Sequence, residues 1–287
     1  MREIPDFDIY IPSSLSDALD YLSNEGKEAF VIAGCTDFIP MVKRGRIRPI
    51  KVLDISHLRE LRYITLDSGF IKIGALTTIS DLVNSPVFDN RYGGIKSLER
   101  YFGVITTRNM ATVGGNLASG GERDLIQIFL ALDAQVKIRS LQNERVTSPT
   151  EAKPNLGELI TEITFKDIGA DSCMEFSKFE KRAANGISVC TAAVTLKISD
   201  NLVEDVKIVV NRVKGREPGR LYRVEESIIG KRIEDAINDV DIMVKSEVDP
   251  AGDFRGSKKF RKEITKVLVK RTLIKCIRTI TGGVDRV

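Results

Sequence analysis

Two short glycine-bearing segments constrain this chain more than any other feature of its sequence. The first runs from Ala33 to Asp37 with the sequence AGCTD, and the second runs from Ala111 to Ala118 with the sequence ATVGGNLA. Both place glycine and other small residues beside hydroxyl or amide side chains. Such turns can direct successive backbone N–H groups at phosphate oxygens, because no Cβ blocks close approach. The pair therefore suggests one bound diphosphate.

The better-known nucleotide fingerprints are missing from the sequence. No G-x-G-x-x-G follows a strand-like run, and no G-x-x-x-x-G-K-[ST] occurs anywhere. A Rossmann dinucleotide fold and a P-loop nucleotidase both depend on those patterns. The diphosphate hypothesis therefore calls for a different scaffold.

Length and composition describe an ordinary globular protein. The 287 residues predict two domains, and 42% hydrophobic with 29% charged residues argues against disorder. No apolar run reaches the roughly 18 residues of a membrane span, and the start of the chain lacks the apolar core of a secretory signal. We therefore expect a cytoplasmic protein. The absence of Trp beside abundant Lys, Arg, Glu and Ile suggests a heat-adapted source.

The cysteines and the one histidine argue against a metal site in this chain. Cys35, Cys173, Cys190 and Cys276 form no C-x-x-C pair, which removes the usual zinc and iron–sulfur spacings. A histidine-rich metal site or a Ser-His-Asp triad would have to be built around His57 alone. We predict no metal ligands and no catalytic acid, base or nucleophile.

The net charge of +4 is concentrated near the end of the chain. Nine Lys or Arg residues and the single acid Glu263 lie between Lys258 and Arg278. A nucleic-acid arm is one interpretation. Apolar residues recur there at nearly helical spacing, and only one of them is aromatic, which favours an amphipathic helix with a basic, solvated or partner-facing side. Its apolar positions are Phe260, Ile264, Val267, Leu268, Ile274 and Ile277.

The first part of the chain reads as an α/β unit that leads into the first glycine segment. Ser14 is a candidate N-cap of a short helix ending near Gly26, and residues 29–33 form a strand-like run. A short helix through Val42 and a strand at residues 51–55 complete this unit. A strand that passes through a turn into a helix places N–H groups where an anion can bind.

Alternating helices and strands continue to about residue 165. We predict a strand at residues 70–74, a helix capped by Thr77 or Thr78, and a helix ending near Phe102. Residues 104–121 contain so many Gly, Asn, Thr and Ser that we expect a long irregular loop, which is usually functional. Further predictions are a helix at 125–130, strands at 134–138 and 159–165, and a polar connection over 140–156.

After about residue 170 we expect a second domain. Its predicted strands are residues 174–179, 189–198 and 203–210, and the remainder reads as helical. Strands followed by helices predict an α+β layer in which helices back one sheet.

Several motifs in one order resemble the FAD-binding medium subunits of molybdenum hydroxylases, such as carbon monoxide dehydrogenases, aldehyde oxidoreductases and xanthine dehydrogenases. The resemblance runs almost end to end. Besides the two glycine segments it includes residues 7–22, 73–78 (IGALTT), 124–125, 131–134 (ALDA) and 254–257 (FRGS).

This resemblance implies a set of FAD contacts. Ala33 to Asp37 and Ala111 to Asn116 are expected to surround the pyrophosphate and ribityl chain, and Asp124 to hold the adenosine side. The further implied contacts are an apolar residue close to the flavin, one further wall residue, and one basic residue that reaches the cofactor from the second domain. The whole set is Ile32, Ala33, Gly34, Cys35, Thr36, Asp37, Phe102, Ala111, Thr112, Gly114, Gly115, Asn116, Asp124, Leu159 or Ile160, and Lys178 or Lys181.

The chain departs from the family pattern at two places. The first segment usually reads Ala-Gly-Gly-Thr-Asp, and its second glycine is Cys35 here. That position must therefore avoid positive φ or be strained. Residues 119–123 also replace the family's commoner Ala, Asp and Pro, which changes the approach to Asp124.

Each predicted site residue also has a structural interpretation. The Gly114-Gly115 pair is compatible with a hairpin turn, and Thr112, Asn116 and Asp124 are compatible with helix caps. Cys35 is either a reactive thiol beside a flavin or a small packing residue, and packing is favoured because no base lies within the turn.

The resemblance implies an α+β fold with a two-subdomain FAD-binding domain of the PCMH type, residues 1–170 with subdomains of about 1–57 and 58–170. A smaller α+β domain, residues 171–287, follows it. The implied function is electron transfer in a heterotrimeric oxidoreductase. A large subunit would hold molybdenum-pterin, a small subunit two [2Fe–2S] clusters, and this chain FAD, from which electrons reach an external acceptor. The alternatives are a stand-alone FAD oxidoreductase and an assembly subunit without flavin.

Overall fold

A computed structural model describes residues 4–25, 28–182 and 186–282. The predicted helix end at Gly26 lies outside these residues. The helices are α1 Leu15–Glu25, α2 Phe38–Lys43, α3 Ile79–Asn84, α4 Gly93–Lys96, α5 Leu98–Tyr101, α6 Ile105–Met110, α7 Val113–Ala118, α8 Asp124–Ala131, α9 Tyr222–Ile228, α10 Ile233–Glu247 and α11 Lys258–Ile280. The strands are β1 Asp8–Tyr10, β2 Ala29–Ile32, β3 Lys51–Asp54, β4 Ile64–Asp67, β5 Phe70–Gly74, β6 Gln135–Arg139, β7 Glu144–Thr147, β8 Leu159–Lys166, β9 Ser172–Glu180, β10 Ser188–Ser199, β11 Leu202–Gly215, β12 Glu217–Arg220 and β13 Asp249–Pro250.

The chain forms two compact units that alternate along the sequence. Unit 1 comprises Met1–Leu82, Val104–Gly120 and Gln135–Phe165. Unit 2 comprises Val83–Gly103, Gly121–Ala134 and Lys166–Val287. Each unit therefore contains segments that are distant in sequence.

A three-stranded parallel sheet begins unit 1, in the order β1-β3-β2. As predicted, Ser14 caps α1, because its Oγ accepts a hydrogen bond of 3.1 Å from the Asp17 N–H. Leu19 and Leu22 of α1 pack with Leu53 of β3 in one hydrophobic core. The predicted strands at 29–33 and 51–55 are confirmed, and β2 delivers the chain directly into the first glycine segment.

A second sheet of unit 1 has the order β4-β5-β8-β6-β7. The segment after β5 contacts α7, since the Gly114 N–H donates to the Ala75 carbonyl oxygen at 2.8 Å. Thr78 Oγ1 accepts from the Asp81 N–H, which confirms Thr78 as a cap of α3. This sheet thereby fixes the start of the second glycine segment.

An antiparallel sheet backed by helices forms most of unit 2, which confirms the predicted α+β layer. The strand order is β12-β11-β10-β9, and β13 pairs with β11. Side chains of α9, α10 and α11 pack with β10 and β11 in one core, in which Val194, Ile208 and Val240 are fully buried.

The basic run near the end of the chain is the helix α11, as predicted, but its buried side differs from the predicted one. Leu268 and Ile277 are buried, whereas Phe260 is 40% exposed. The buried stripe is Arg261, Thr265, Leu268, Val269, Thr272, Leu273, Cys276 and Ile277. Acidic residues offset many of its lysines, since Lys266 and Lys270 both lie within 4 Å of Asp241 in α10. This pairing favours the interpretation as a solvated helix face.

The prediction of a long irregular loop over residues 104–121 is wrong. This stretch contains two short helices, α6 and α7. Glycine has low helix propensity, and the sequence interpretation relied on that preference. In the structure, hydrogen bonds to the segment after β5 hold α7 in place and override the propensity.

Five of the described strands were not predicted: β1, β4, β7, β12 and β13. In particular, β7 lies in the polar connection expected at 140–156, where Val146 pairs with Lys137 of β6. Its residues are partly or fully exposed at the edge of a sheet. An exposed edge strand needs little apolar periodicity, so the pattern of residues gave no signal for it.

Candidate functional site

The first glycine segment presents a run of unused backbone donors. Among the residues that the structure describes, the N–H groups of Gly34, Cys35 and Thr36 have no acceptor. Cys35 has φ +56°, in the left-handed region. Successive N–H groups beside a left-handed residue form a concave anion-binding arrangement. The segment therefore fits a phosphate group.

The two glycine segments lie against each other within unit 1. A Cβ added to Gly34 would overlap the carbonyl oxygen of Met110 and fall 3.2 Å from Cα of Ala111. Farther along, Ser119 Oγ lies 2.9 Å from Asp37 Oδ2. Only glycine permits this crossing at residue 34, because any side chain would displace the backbone of the second segment.

The second glycine segment leads into and forms α7, and the N–H groups of Val113, Gly114, Gly115 and Asn116 all donate within unit 1. Thr112 is the N-cap, with its Oγ1 accepting from the Gly115 N–H at 3.1 Å. The Val113 N–H donates to Thr77 O, and the Asn116 N–H to Thr112 O. Thr112 thus has the capping role that was the structural alternative, and the interpretation in which this segment also directs N–H groups at phosphate stays a prediction.

The glycines of α7 have a packing role. A Cβ on Gly114 would lie 2.8 Å from Cβ of Ala75, and a Cβ on Gly115 would lie 2.9 Å from Thr112 Oγ1. Real Cβ atoms do not approach neighbours so closely, and interiors transmit such overlap as strain. These glycines therefore allow α7 to approach the segment after β5.

Asn116 supplies an unpaired polar atom beside this contact. The residue is 8% exposed, and its Oδ1 has no hydrogen-bond partner in the part of the chain that the structure describes. Buried acceptors are nearly always paired, and an unpaired one costs about 1–3 kcal/mol. An acceptor of this kind fits a ligand that carries hydroxyl donors, as a ribityl chain does.

Cys35 is a partly buried, neutral thiol. Burial raises the pKa of the Cys35 thiol, and the negative charge of Asp54 raises it further. Its Sγ contacts the Ala33 carbonyl oxygen at 3.6 Å. A raised pKa lowers the thiolate fraction at neutral pH, so the environment favours packing over reactivity.

Two predicted site residues form a buried ion pair in unit 2. Lys178 Nζ lies 2.9 Å from Asp124 Oδ2 and 3.0 Å from Glu180 Oε1, and it donates to the Tyr101 carbonyl oxygen at 3.1 Å. The side chains of Lys178 and Asp124 are only 7% and 10% exposed. Burial raises the pKa of Asp124, and the nearby lysine charge opposes that rise. Burial alone would lower the pKa of Lys178, but its two carboxylate neighbours raise it.

The remaining predicted contacts occupy different environments. Leu159 and Ile160 are buried in β8, and Leu159 belongs to the core around α1. Phe102 ends α5 and is partly exposed. Lys181 is exposed, and its Nζ donates to the Phe254 carbonyl oxygen at 3.2 Å. Ile32 ends β2 immediately before the first glycine segment.

Two residues of these clusters were missed from the sequence, namely Ser119 and Glu180. Ser119 contacts Asp37, and Glu180 shares Lys178 with Asp124. For Glu180 a signal was present, because it directly follows the predicted strand 174–179 and, in a strand continued by one residue, shares a face with Lys178. Ser119 gave no such signal, since its contact depends on the helical path of α7.

Family models match nearly the whole chain. Residues 5–163 match the FAD-binding domain of molybdopterin dehydrogenases, and residues 175–276 match the C-terminal domain of the carbon monoxide dehydrogenase flavoprotein. The chain belongs to the FAD-binding medium subunits of molybdenum hydroxylases. As a member of this family it carries an FAD-binding domain and is a flavoprotein component of an oxidoreductase.

Related proteins align over almost their full length with this medium subunit. The glyceraldehyde dehydrogenase medium chain of Sulfolobus acidocaldarius is 29% identical, covering 93% of this chain and 97% of its own. The carbon monoxide dehydrogenase medium chain of Hydrogenophaga pseudoflava is 26% identical, covering 94% and 96%. A solved carbon monoxide dehydrogenase of H. pseudoflava gives a TM-score of 0.89 at 23% identity, covering 97% of this chain and 99% of the other. That likeness establishes the fold.

Within residues 4–25, 28–182 and 186–282, no helix is both long and apolar enough to cross a bilayer.

Proposed function

We propose that this chain holds one FAD and serves as the electron-transfer subunit of a heterotrimeric molybdenum hydroxylase. FAD supplies the chemistry of accepting electrons from two [2Fe–2S] clusters of a small partner subunit and releasing them to an external acceptor. A large partner subunit holds molybdenum-pterin and oxidises the organic substrate. The heterotrimer acts in the cytoplasm of a heat-adapted organism.

The run of unused N–H groups at residues 34–36 carries this proposal. These donors would hold the diphosphate of FAD, and the unpaired Oδ1 of Asn116 would accept from its ribityl hydroxyl groups. Two glycine segments in contact thus present both kinds of group that the cofactor needs in unit 1. The acid of the Lys178–Asp124 pair would hold the adenosine side, as the resemblance implies, and the charge of Lys178 opposes the rise in the pKa of Asp124 that burial causes.

The chain's own residues bind, orient and shield the cofactor. No side chain is assigned the role of general acid, base or nucleophile, because the protein's part in flavin chemistry of this kind is to position the ring and limit solvent. Phe102 and either Leu159 or Ile160 are proposed as apolar contacts. We also propose a domain division near residue 170, with subdomains of about 1–57 and 58–170 before it.

An FAD titration with a matched pair of variants tests the cofactor site. FAD is added to the purified chain, and quenching of flavin fluorescence gives stoichiometry and Kd. We expect one FAD per chain. Asn116→Ala removes one acceptor and should weaken binding about tenfold, with stability changed by less than about 1 kcal/mol. The control Asn24→Ala removes an exposed amide from α1 and should leave Kd unchanged.

Co-purification and activity measurements distinguish the proposed electron-transfer subunit from the two alternatives, a stand-alone oxidoreductase and an assembly subunit without flavin. Co-purification with a molybdenum subunit and an iron–sulfur subunit supports the electron-transfer role. Oxidation of a substrate by the isolated chain with FAD would instead support a stand-alone oxidoreductase. Failure to bind FAD, even with the partner subunits co-expressed, would leave the assembly subunit as the better account.

A further inference from the structure

Two buried cysteines lie against each other in unit 2, where the last turns of α11 meet the sheet. Cys173 is the second residue of β9, and Cys276 lies four residues before the end of α11. Both side chains are 0% exposed and belong to one core. Cys276 Sγ is 3.7 Å from the Cys173 carbonyl oxygen and 3.4 Å from that of Val194, and the two thiols contact each other. A disulfide requires such proximity, because its Cβ atoms lie only about 3.5–4.5 Å apart.

Within the closed core these thiols are protected from oxidants. Burial raises the pKa of the Cys276 thiol, and the neighbouring Cys173 thiol and Glu175 carboxylate raise it further, while Lys275 opposes the rise. The thiolate is the reactive form in disulfide chemistry. Reaction of the pair therefore requires that water first reach it.

The end of α11 offers a route to the pair. Cys276 lies within the last two turns of the helix, in which Lys275 and Arg278 are exposed. Helix ends fray, and local openings of this kind cost less free energy than global unfolding. Unwinding of these turns uncovers Cys276 and, beneath it, Cys173, while the rest of the helix stays packed.

We propose that Cys173 and Cys276 are a modification site, which a small dialkyl disulfide oxidises to an intramolecular disulfide between β9 and α11. The Cys276 sulfur attacks one sulfur of the oxidant, which forms a mixed disulfide and releases one thiol. The Cys173 sulfur then attacks the Cys276 sulfur and displaces the second thiol. One S–S bond breaks and one forms. The two cysteines are oxidised, and the reagent is reduced to two thiols whose protons come from the cysteines.

The new bond should stabilise unit 2. A disulfide acts mainly by restricting the unfolded chain, and its effect grows with the length of the closed loop. The loop from Cys173 to Cys276 spans about 100 residues and includes α9, α10 and most of α11. The heat-adapted source proposed above suits such a bond, since disulfides also occur inside the cells of hyperthermophiles.

Cys190 is a matched control in the same core. It is 1% exposed, and its Sγ lies 3.7 Å from the carbonyl oxygen of Arg261, near the start of α11. From Arg261 to Cys276 the helix rises by about 22 Å, at about 1.5 Å per residue. The Cα atoms of a disulfide lie only about 4.4–6.8 Å apart. Cys190 is therefore too far along α11 to bond with Cys276.

Peptide mapping of the purified chain tests the pair. The chain is reduced, freed of reductant and incubated with hydroxyethyl disulfide below its Tm. Digestion without reductant, followed by mass spectrometry, identifies joined peptides, and thermal unfolding gives Tm before and after oxidation. The variant is Cys276→Ala, and the control is Cys190→Ala. The map of the wild type decides the question even if a variant fails to fold.

We expect the wild type and Cys190→Ala to yield the link between Cys173 and Cys276, with a Tm higher by at least about 5 °C that dithiothreitol reverses. Cys276→Ala should yield no link and no rise in Tm, although Cys35 and Cys190 stay available to the reagent. Urea below the unfolding transition should speed formation of the link, because opening of the end of α11 limits the rate.

Two results would overturn the inference. Reagent adducts on Cys173 and Cys276 without a link would show that the uncovered thiols do not reach each other. Absence of both link and adducts, even in urea just below the unfolding transition, would show that α11 does not open at this end.

Discussion

Lys178 on β9 and Asp124 at the start of α8 form a buried ion pair with a 2.9 Å contact. Glu180 adds a second carboxylate at 3.0 Å, with its side chain 6% exposed. One cation thus compensates two acids in a region with little solvent. Burying charge is costly unless it is paired, so the three side chains depend on one another.

Replacing Lys178 by Met should destabilise the protein strongly. The variant leaves Asp124 and Glu180 buried without their cation, which costs about 3–5 kcal/mol in comparable sites. Urea unfolding at neutral pH measures the loss. The control Lys72→Met removes an exposed partner of Asp67 and should change stability by less than about 1 kcal/mol.

The pH dependence of this variant has a defined sign. Burial raises the pKa of Asp124, and loss of the lysine raises it further, so the folded state binds a proton more tightly than the unfolded state does. Stability is then greatest below the unfolded pKa and is lost as pH rises through the folded one. The deficit of Lys178→Met should therefore shrink on acidification. A deficit that stays constant with pH would show that lost packing, not charge, is responsible.

Cys35→Gly should stabilise the chain by about 0.5–1 kcal/mol. Cys35 has φ +56°, and a side chain in this region costs about 1–2 kcal/mol, only part of which is cancelled by the greater backbone entropy of glycine. Thermal unfolding measures the gain. Cys35→Ala serves as control, because it removes the thiol but keeps the Cβ. Equal stabilisation by both variants would assign the effect to the thiol.

Much of the fold follows from local patterns in the sequence. The capped helix α1, the buried strands β2 and β3 and the long strands of unit 2 each carry their own periodicity, and all were predicted. The helix α7 was not, because its hydrogen bonds to Thr77 and Ala75 come from a distant segment. Propensity describes a residue in isolation, and tertiary contacts decided this case.

The candidate site was likewise predictable from the sequence only in part. The resemblance selected Lys178 and Asp124, which the structure brings together, but no local pattern showed that they form a pair. The sequence also assigned one role to two glycine segments. In the structure Gly34 precedes unused N–H groups, whereas Gly114 permits helix packing. The presence of glycine in the sequence does not distinguish an anion-binding turn from close helix packing, because both require only the absence of a Cβ.

Acid should weaken unit 1 through Glu158. Arg145 binds this carboxylate through two nitrogens and, with the Asn155 N–H, lowers the pKa of Glu158 to about 2. A lowered pKa adds stability that is present above the unfolded value and is lost as pH falls toward the folded value. Glu158→Gln should therefore cost about 1 kcal/mol at neutral pH, since the pair is partly exposed, and remove part of the acid sensitivity between about pH 4.5 and 2. Parallel pH profiles for variant and wild type would contradict this.

Gly34→Ala should abolish FAD binding, whereas the same substitution at Gly69, which has a positive φ, should leave FAD binding intact. The new Cβ would overlap the Met110 carbonyl oxygen, so the two glycine segments must separate and the N–H groups at 34–36 must move. We expect affinity for FAD to fall by at least about a hundredfold, because a displacement of about 1 Å is enough to remove such positioning. Gly69→Ala is the comparison: it introduces strain at φ +79° but meets no atom within 4 Å. It should lower stability by about 1–2 kcal/mol and leave FAD affinity unchanged. Equal loss of affinity in both variants would mean that general destabilisation, and not the crossing at Gly34, controls cofactor binding.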